Sequence, residues 1–97
     1  MLECKRQSGS LVLAGELKVQ YLESLGDCLS PELYNADALE VDLTQVRSVD
    51  MAGLQLLLAF CRTREPHGPL SLGSPSAAFM KAIDLSGLGT HFAPFLA

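Results

Sequence analysis

Residues 42–60 read Asp-Leu-Thr-Gln-Val-Arg-Ser-Val-Asp-Met-Ala-Gly-Leu-Gln-Leu-Leu-Leu-Ala-Phe, and they constrain the fold more than any other stretch of the chain. They continue an alternation of apolar and acidic residues that starts at Leu39-Glu40-Val41-Asp42-Leu43, the period of a half-buried strand. Residues 44–49 then lead as a tight polar loop into Asp50-Met51-Ala52-Gly53. Asp50 stands where a helix N-cap is expected, because its carboxylate can accept from the free amides of the first turn. Residues 54–60 are almost wholly apolar, which places the following helix deep in the domain. A buried helix that starts at the surface presents amides and a positive dipole end there. That geometry suits recognition or modification, and it is also an ordinary way to begin a helix.

The rest of the chain supplies a sheet and further helices around this unit. Residues 1–8 are polar and fit a short edge strand, followed by a turn at Gly9-Ser10. Residues 11–17 read as a strand in which Gly15 marks a bulge or a close backbone approach. Val19, Leu22, Leu25, Cys28 and Leu29 fall on one helical face. At Ser30-Pro31 the helix either ends or restarts as a short turn capped by Ser30. Arg62 and Arg64 sit near the negative end of the central helix, and Pro66-His67-Gly68-Pro69 stops it. Leu70-Ser71-Leu72 is a short strand. A third helix follows, with Ser74 as its N-cap, Pro75 at its first position and Phe79, Ala82 and Ile83 on its apolar face; it ends at Ser86-Gly87-Leu88-Gly89. The tail, residues 90–97, is a short strand or a turn packed on the body. The order β-β-α-β-α-β-α plus a tail predicts a single α/β domain over residues 1–97, a small mixed sheet with helices mainly on one face.

Composition removes several function classes. The chain has 97 residues, 48% of them hydrophobic and 19% charged, enough apolar material for one core. Its net charge of −4 and the absence of any basic run disfavour nucleic acid, whose phosphates need clustered Lys and Arg. The longest apolar run is far short of a membrane span, and the first residues contain no apolar core of signal-peptide length, so a cytoplasmic protein without direct membrane insertion is expected. Cys4, Cys28 and Cys61 are odd in number and widely spaced, and neither His67 nor His91 lies at ligand spacing to them. They read as buried free thiols in a reducing compartment, with no metal site. His67 is expected at the surface and His91 packed in the tail.

No nucleotide-binding glycine motif occurs, and no nucleophile–base pair or cofactor site emerges. Asp50 reads first as a helix cap and second as the polar anchor of a binding or phosphorylation site. Gly53 is either a tight helix–strand packing point or part of an anion-binding turn. Asp42 is solvated or bonded to a loop. Glu16 and Lys18, at the end of the second strand, read as solvated.

Leu13-Ala14-Gly15-Glu16-Leu17, Val41-Asp42-Leu43, Val49-Asp50-Met51-Ala52-Gly53-Leu54, Ser74-Pro75-Ser76 and Leu85-Ser86-Gly87-Leu88 together resemble a STAS domain, the domain of sulfate transporters and anti-sigma-factor antagonists. The resemblance runs from about Ser10 to Phe92 and implies a small mixed sheet flanked by helices. In antagonists of this family the loop before the second helix reads Asp-Ser-Ser-Gly. A serine kinase that is also the anti-sigma factor phosphorylates the second serine, and the unphosphorylated antagonist binds that kinase and frees the sigma factor. Asp50 and Gly53 match this pattern, whereas Met51 and Ala52 replace both hydroxyl residues, so the phosphoacceptor position carries no oxygen. Lys18 stands where the family often has an acid.

The resemblance implies a bacterial, non-catalytic protein–protein interaction module of a partner-switching or signalling system, in the manner of an anti-sigma-factor antagonist and with a chemotaxis association among its options. Its docking face would comprise Glu16, Lys18, Ser48, Asp50, Met51, Ala52, Gly53, Gln55 and Ser74. The partner would be an anti-sigma factor with serine-kinase activity or a chemotaxis protein, and the acidic surface favours a basic rim on it. The alternative implied is a STAS subunit that binds the ATPase of an ABC transporter for phospholipids.

Overall fold

Alternation of apolar and polar residues sets the sheet. In the computed structural model, which describes residues 1–96, four strands lie in the order β1-β2-β3-β4. They are β1 (Leu2–Gln7), β2 (Ser10–Leu17), β3 (Leu39–Val49) and β4 (Leu70–Gly73). β1 and β2 form an antiparallel hairpin, and β3 pairs in parallel with both β2 and β4. The hairpin turns at Gly9, whose φ of 71° is one that a residue with a Cβ adopts only at a cost. The mixed sheet is the one the order of elements predicts.

The described residues hold the three helices that the spacings predict, α1 (Leu22–Leu29), α2 (Met51–Arg64) and α3 (Ala77–Ser86), and a short α4 (Gly89–Phe92) that they do not. The inward residues of the sheet, among them Leu13, Val41 and Leu43, pack on Leu25 of α1, Leu57 of α2 and Phe79 of α3. Each such side chain contributes about 1.5–3 kcal/mol by leaving water. On the other face of the sheet Glu3, Lys5, Glu40, Gln45 and Arg47 stay exposed, so the helices cover one face, as expected. Phe79 and Phe92 meet edge to face at 5.7 Å and fasten α4 to α3.

Several boundaries differ from the sequence reading, each for a local reason. The polar loop expected at residues 44–49 is the second half of β3, because a sheet open on one face accepts Gln45 and Arg47 as outward strand residues. Val19 is not on the buried face of a helix; it opens a 3₁₀ turn, Val19–Tyr21, and is exposed. Ser30 caps nothing. A 3₁₀ turn, Ser30–Glu32, continues α1, and the Ser30 hydroxyl donates back to the Gly26 carbonyl. The N-cap of α3 is Ser76, whose hydroxyl accepts from the Phe79 amide, and not Ser74. Ser74 instead makes the turn out of β4 with a φ of 46°. The tail is helical: α4 runs into a 3₁₀ turn, Ala93–Phe95, and Leu96 then bridges to Leu72. Ala97 lies outside the described residues. His91 is exposed against Arg62 and not packed.

The cysteines are a further correction. Cys61 is a buried free thiol as expected, but Cys4 of β1 and Cys28 of α1 are joined in a disulfide, with Cα atoms 6.3 Å apart. Cys4 is exposed and Cys28 half-buried. The two lie 24 positions apart, and nothing in that spacing signals the pairing; antiparallel pairing and the placement of α1 create it.

Candidate functional site

Two chain segments meet where β2 and β3 run out together. Leu17 pairs with Val49, and the Asp50 amide donates to the Leu17 carbonyl at 3.0 Å. The chain then turns into α2 in a single step. Asp50 has extended backbone (φ −112°, ψ 176°), the geometry of an N-cap, and its Oδ1 accepts from the Gly53 amide at 2.9 Å. Its Oδ2 accepts from the Val19 amide, also at 2.9 Å. One carboxylate thus caps α2 and anchors the turn that leads into α1. Burial is the largest influence on the Asp50 carboxyl and pushes its pKa up. The amides of Gly53, Val19 and Ala52, with the charge of Lys18, together outweigh it and hold the group below its usual value.

Gly53 sits where a Cβ would strike the Leu17 backbone carbonyl and the Leu17 Cβ. Of its two readings, the structure supports the packing point: α2 rests directly on the end of β2. With Oδ1 of Asp50 already on the Gly53 amide, the helix start offers a carboxylate where an anion site needs a free donor.

Glu16 and Lys18 flank this junction, with 3.7 Å between Oε2 and Nζ. Glu16 is also paired with the Met1 α-amine. That hydrogen bond, first, and the charges of Lys18 and Arg47 hold the Glu16 carboxyl below its usual range against its desolvation. Ser48 pairs with Glu16 across the strands, but its hydroxyl oxygen is shielded from solvent and has no hydrogen-bond partner among the described residues. Thr44 donates its hydroxyl to Asp42 Oδ1 at 2.6 Å, so Asp42 serves its own strand bulge.

On α2, Met51 is 48% exposed at the first helical position, and Gln55 one turn later donates to its sulfur at 3.7 Å. Ala52 is half-buried and Gly53 buried. Ser74 stands apart. Its neighbour Gly73 pairs with Asp42, which puts Ser74 roughly 20 Å along β3 from Asp50 at about 3.3 Å per residue. The end of α3 takes the place by Asp50 instead. Val49, Asp50, Met51 and Leu54 line one side of a shallow groove of about 250 Å³, and Ala82, Leu85 and Ser86 line the other. Leu85 is 79% exposed. Its signal was present in the sequence as a leucine off the apolar stripe of Phe79, Ala82 and Ile83. Among the described residues no group of three or more His, Cys, Asp or Glu could hold a metal ion.

A family model described as "Mlab, STAS domain" matches residues 1–96. The chain belongs to this STAS family. Solved structures agree with the fold. An anti-sigma factor antagonist from Mycobacterium paratuberculosis superposes with a TM-score of 0.74 at 20% identity, covering 99% of this chain and 83% of that one. The anti-sigma factor antagonist SpoIIAA in its unphosphorylated form gives 0.67 at 20% identity, covering 100% and 86%. The Bacillus cell fate determinant SpoIIAA in its phosphorylated form gives 0.62 at 21% identity, covering 100% and 89%. No curated protein matches the sequence. Within this fold Asp50 and Gly53 hold the strand–cap–helix junction together. No helix among the described residues is long and apolar enough to cross a membrane.

Proposed function

We propose that this STAS domain is a non-catalytic docking module of a partner-switching or signalling system, and that it binds its protein partner without a phosphate switch of its own. One observation carries the reading. At the end of α2 held by Asp50 and Gly53, the exposed apolar side chain is the thioether of Met51, beside the still more exposed Leu85. An apolar, adaptable methionine at the mouth of a groove suits a contact surface. Glu16, Lys18 and Gln55 form the polar rim, while Asp50, Ala52, Gly53 and Ser48 hold the surface in place.

Phosphorylation at the docking end or along β3 is disfavoured by burial and bonding. Ala52 has no hydroxyl, Ser48 Oγ is buried, and Thr44 Oγ1 is engaged by Asp42. Switching is therefore assigned to the partner. Incubation with the cognate serine kinase and ATP is expected to leave the intact mass unchanged; a stable phosphate on Ser48 or Thr44 would overturn this part of the reading. For docking, the test is affinity capture from the native cell with wild type and Met51→Glu. Because Met51 is exposed, the variant is expected to fold with a stability change within about 0.5 kcal/mol and to lose the partner. Undiminished capture by the folded variant removes this face as the site.

A second reading is kept by the description of the matched family model, which names Mlab and not an antagonist. In it the same face binds a transporter ATPase. A stoichiometric ATPase in the capture selects that reading, and a kinase or chemotaxis protein selects the first.

A further inference from the structure

Away from the docking face, the fold brings together two thiol side chains that the sequence keeps far apart. Strand alternation turns Leu2, Cys4 and Arg6 of β1 toward the helices. Leu2 packs against the core, Cys4 is bonded to Cys28 of α1, and Arg6 Nη1 donates to Glu32 Oε1 at 2.7 Å. The Cα separation of 6.3 Å lies inside the range that a disulfide spans without backbone movement.

We propose that Cys4 and Cys28 are a reversible thiol–disulfide exchange site, reacting with small disulfides and thiols of the glutathione class, and that closing it fastens the edge strand β1 to α1. Three observations support reversibility over a permanent staple. Permanent disulfides compensate for a core too small to hold a domain, yet here the core is contiguous and Cys4 is not part of it. Cys4 is exposed on an edge strand and Cys28 is only half-buried, which places the bond near the surface of the folded protein, where small reagents act. The Arg6–Glu32 pair keeps β1 seated beside the turn after α1 when the bond is open.

The chemistry balances without any other partner. The Cys4 thiolate attacks one sulfur of the small disulfide; that S–S bond breaks, a mixed disulfide forms on Cys4, and the first small thiolate leaves and takes up the proton lost by Cys4. The Cys28 thiolate then attacks the Cys4 sulfur, closing the protein disulfide and expelling the second small thiol, which is protonated by the proton lost from Cys28. Two protein thiols are oxidised and one small disulfide is reduced to two thiols. Reduced glutathione runs the sequence backwards. Cys61 takes no part: burial first, and the charge of Glu65 second, push its thiol up to about 12.

The test equilibrates the native protein over a series of reduced-to-oxidised glutathione ratios, quenches with acid, and maps maleimide-labelled peptides after unfolding. Cys4 and Cys28 are expected to gain and lose label together and reversibly, with Cys61 labelled at every ratio. Thiols that remain reduced in oxidised glutathione overturn the proposal. So does a glutathione adduct that persists on Cys4, or a bond that opens only once denaturant is added. Amide exchange across β1 is expected to quicken in reduced wild type and equally in Cys28→Ser. The same slow β1 exchange in the open and closed forms would overturn the fastening role.

Discussion

Both oxygens of the Asp50 carboxylate are committed to backbone amides, Oδ1 to Gly53 and Oδ2 to Val19. The folded carboxyl is held below its ordinary value, so the unfolded chain takes up a proton first as pH falls. Its contribution is therefore fully present above about pH 4, the unfolded value, and is lost as pH drops through the lower folded value. Asp50→Asn keeps an acceptor but no charge. It is expected to cost about 0.5–1 kcal/mol at neutral pH and to flatten the acid side of the stability curve. Urea midpoints at neutral pH and near pH 3 check this, and an unaltered acid loss in the variant rejects it. Asp50→Ala loses both bonds and is expected to cost about 1–2 kcal/mol. The cap was legible because Asp before an apolar helical run has few other uses. The bond to Val19 was not, since it joins residues 31 apart through the pairing of Leu17 with Val49.

The seating of α2 on β2 depends on Gly53. Intrinsic propensity alone would favour Gly53→Ala by about 1 kcal/mol. The added methyl, however, meets the Leu17 carbonyl, a backbone atom that cannot swing aside. A net loss of about 1–3 kcal/mol in urea unfolding is expected; a neutral or stabilised variant would mean that α2 rides free of the strand. The elements themselves were readable wherever apolar residues alternated or ran together, as in the first half of β3, in β2 and in α2. Misreadings fell where two local rules competed. Ser74 and Ser76 both flank Pro75, and the choice goes to Ser76 because its amide is drawn to the Leu43 carbonyl at 3.2 Å, a partner from another element. Polar residues 44–49 read as a loop because the sequence does not show which face of the sheet is left open.

Arg64 joins parts of the molecule that no local pattern connects. It is fully buried, and its guanidinium donates to the Gly68 carbonyl at 2.7 Å and to the Asp37 carbonyl. In sequence it read only as a cation near the negative end of the helix. In the fold it ties the end of α2 to the turn before β4 and the loop before β3. Arg64→Met fills similar space but strands both carbonyls. We expect a loss of about 2–3 kcal/mol, or about 10–20 °C in Tm for a domain of this size, read by calorimetry. A smaller loss than in Gly53→Ala would show that these two loops hold themselves. Of the candidate site, the scaffold residues were legible from spacing. The groove was not, because Leu85 reaches Met51 only through the return of α3 across the sheet.

The double duty of the Asp50 carboxylate has a consequence for how such chains are compared. A residue that caps one helix and anchors the approach to another is selected by folding before any partner is present. Position 52 touches that carboxylate only through its backbone amide, so its side chain is free to vary. Alignments weighted on Asp50 and Gly53 will therefore sort chains by how they are built. If the proposed docking face is right, weighting positions 51 and 85 will sort them by partner.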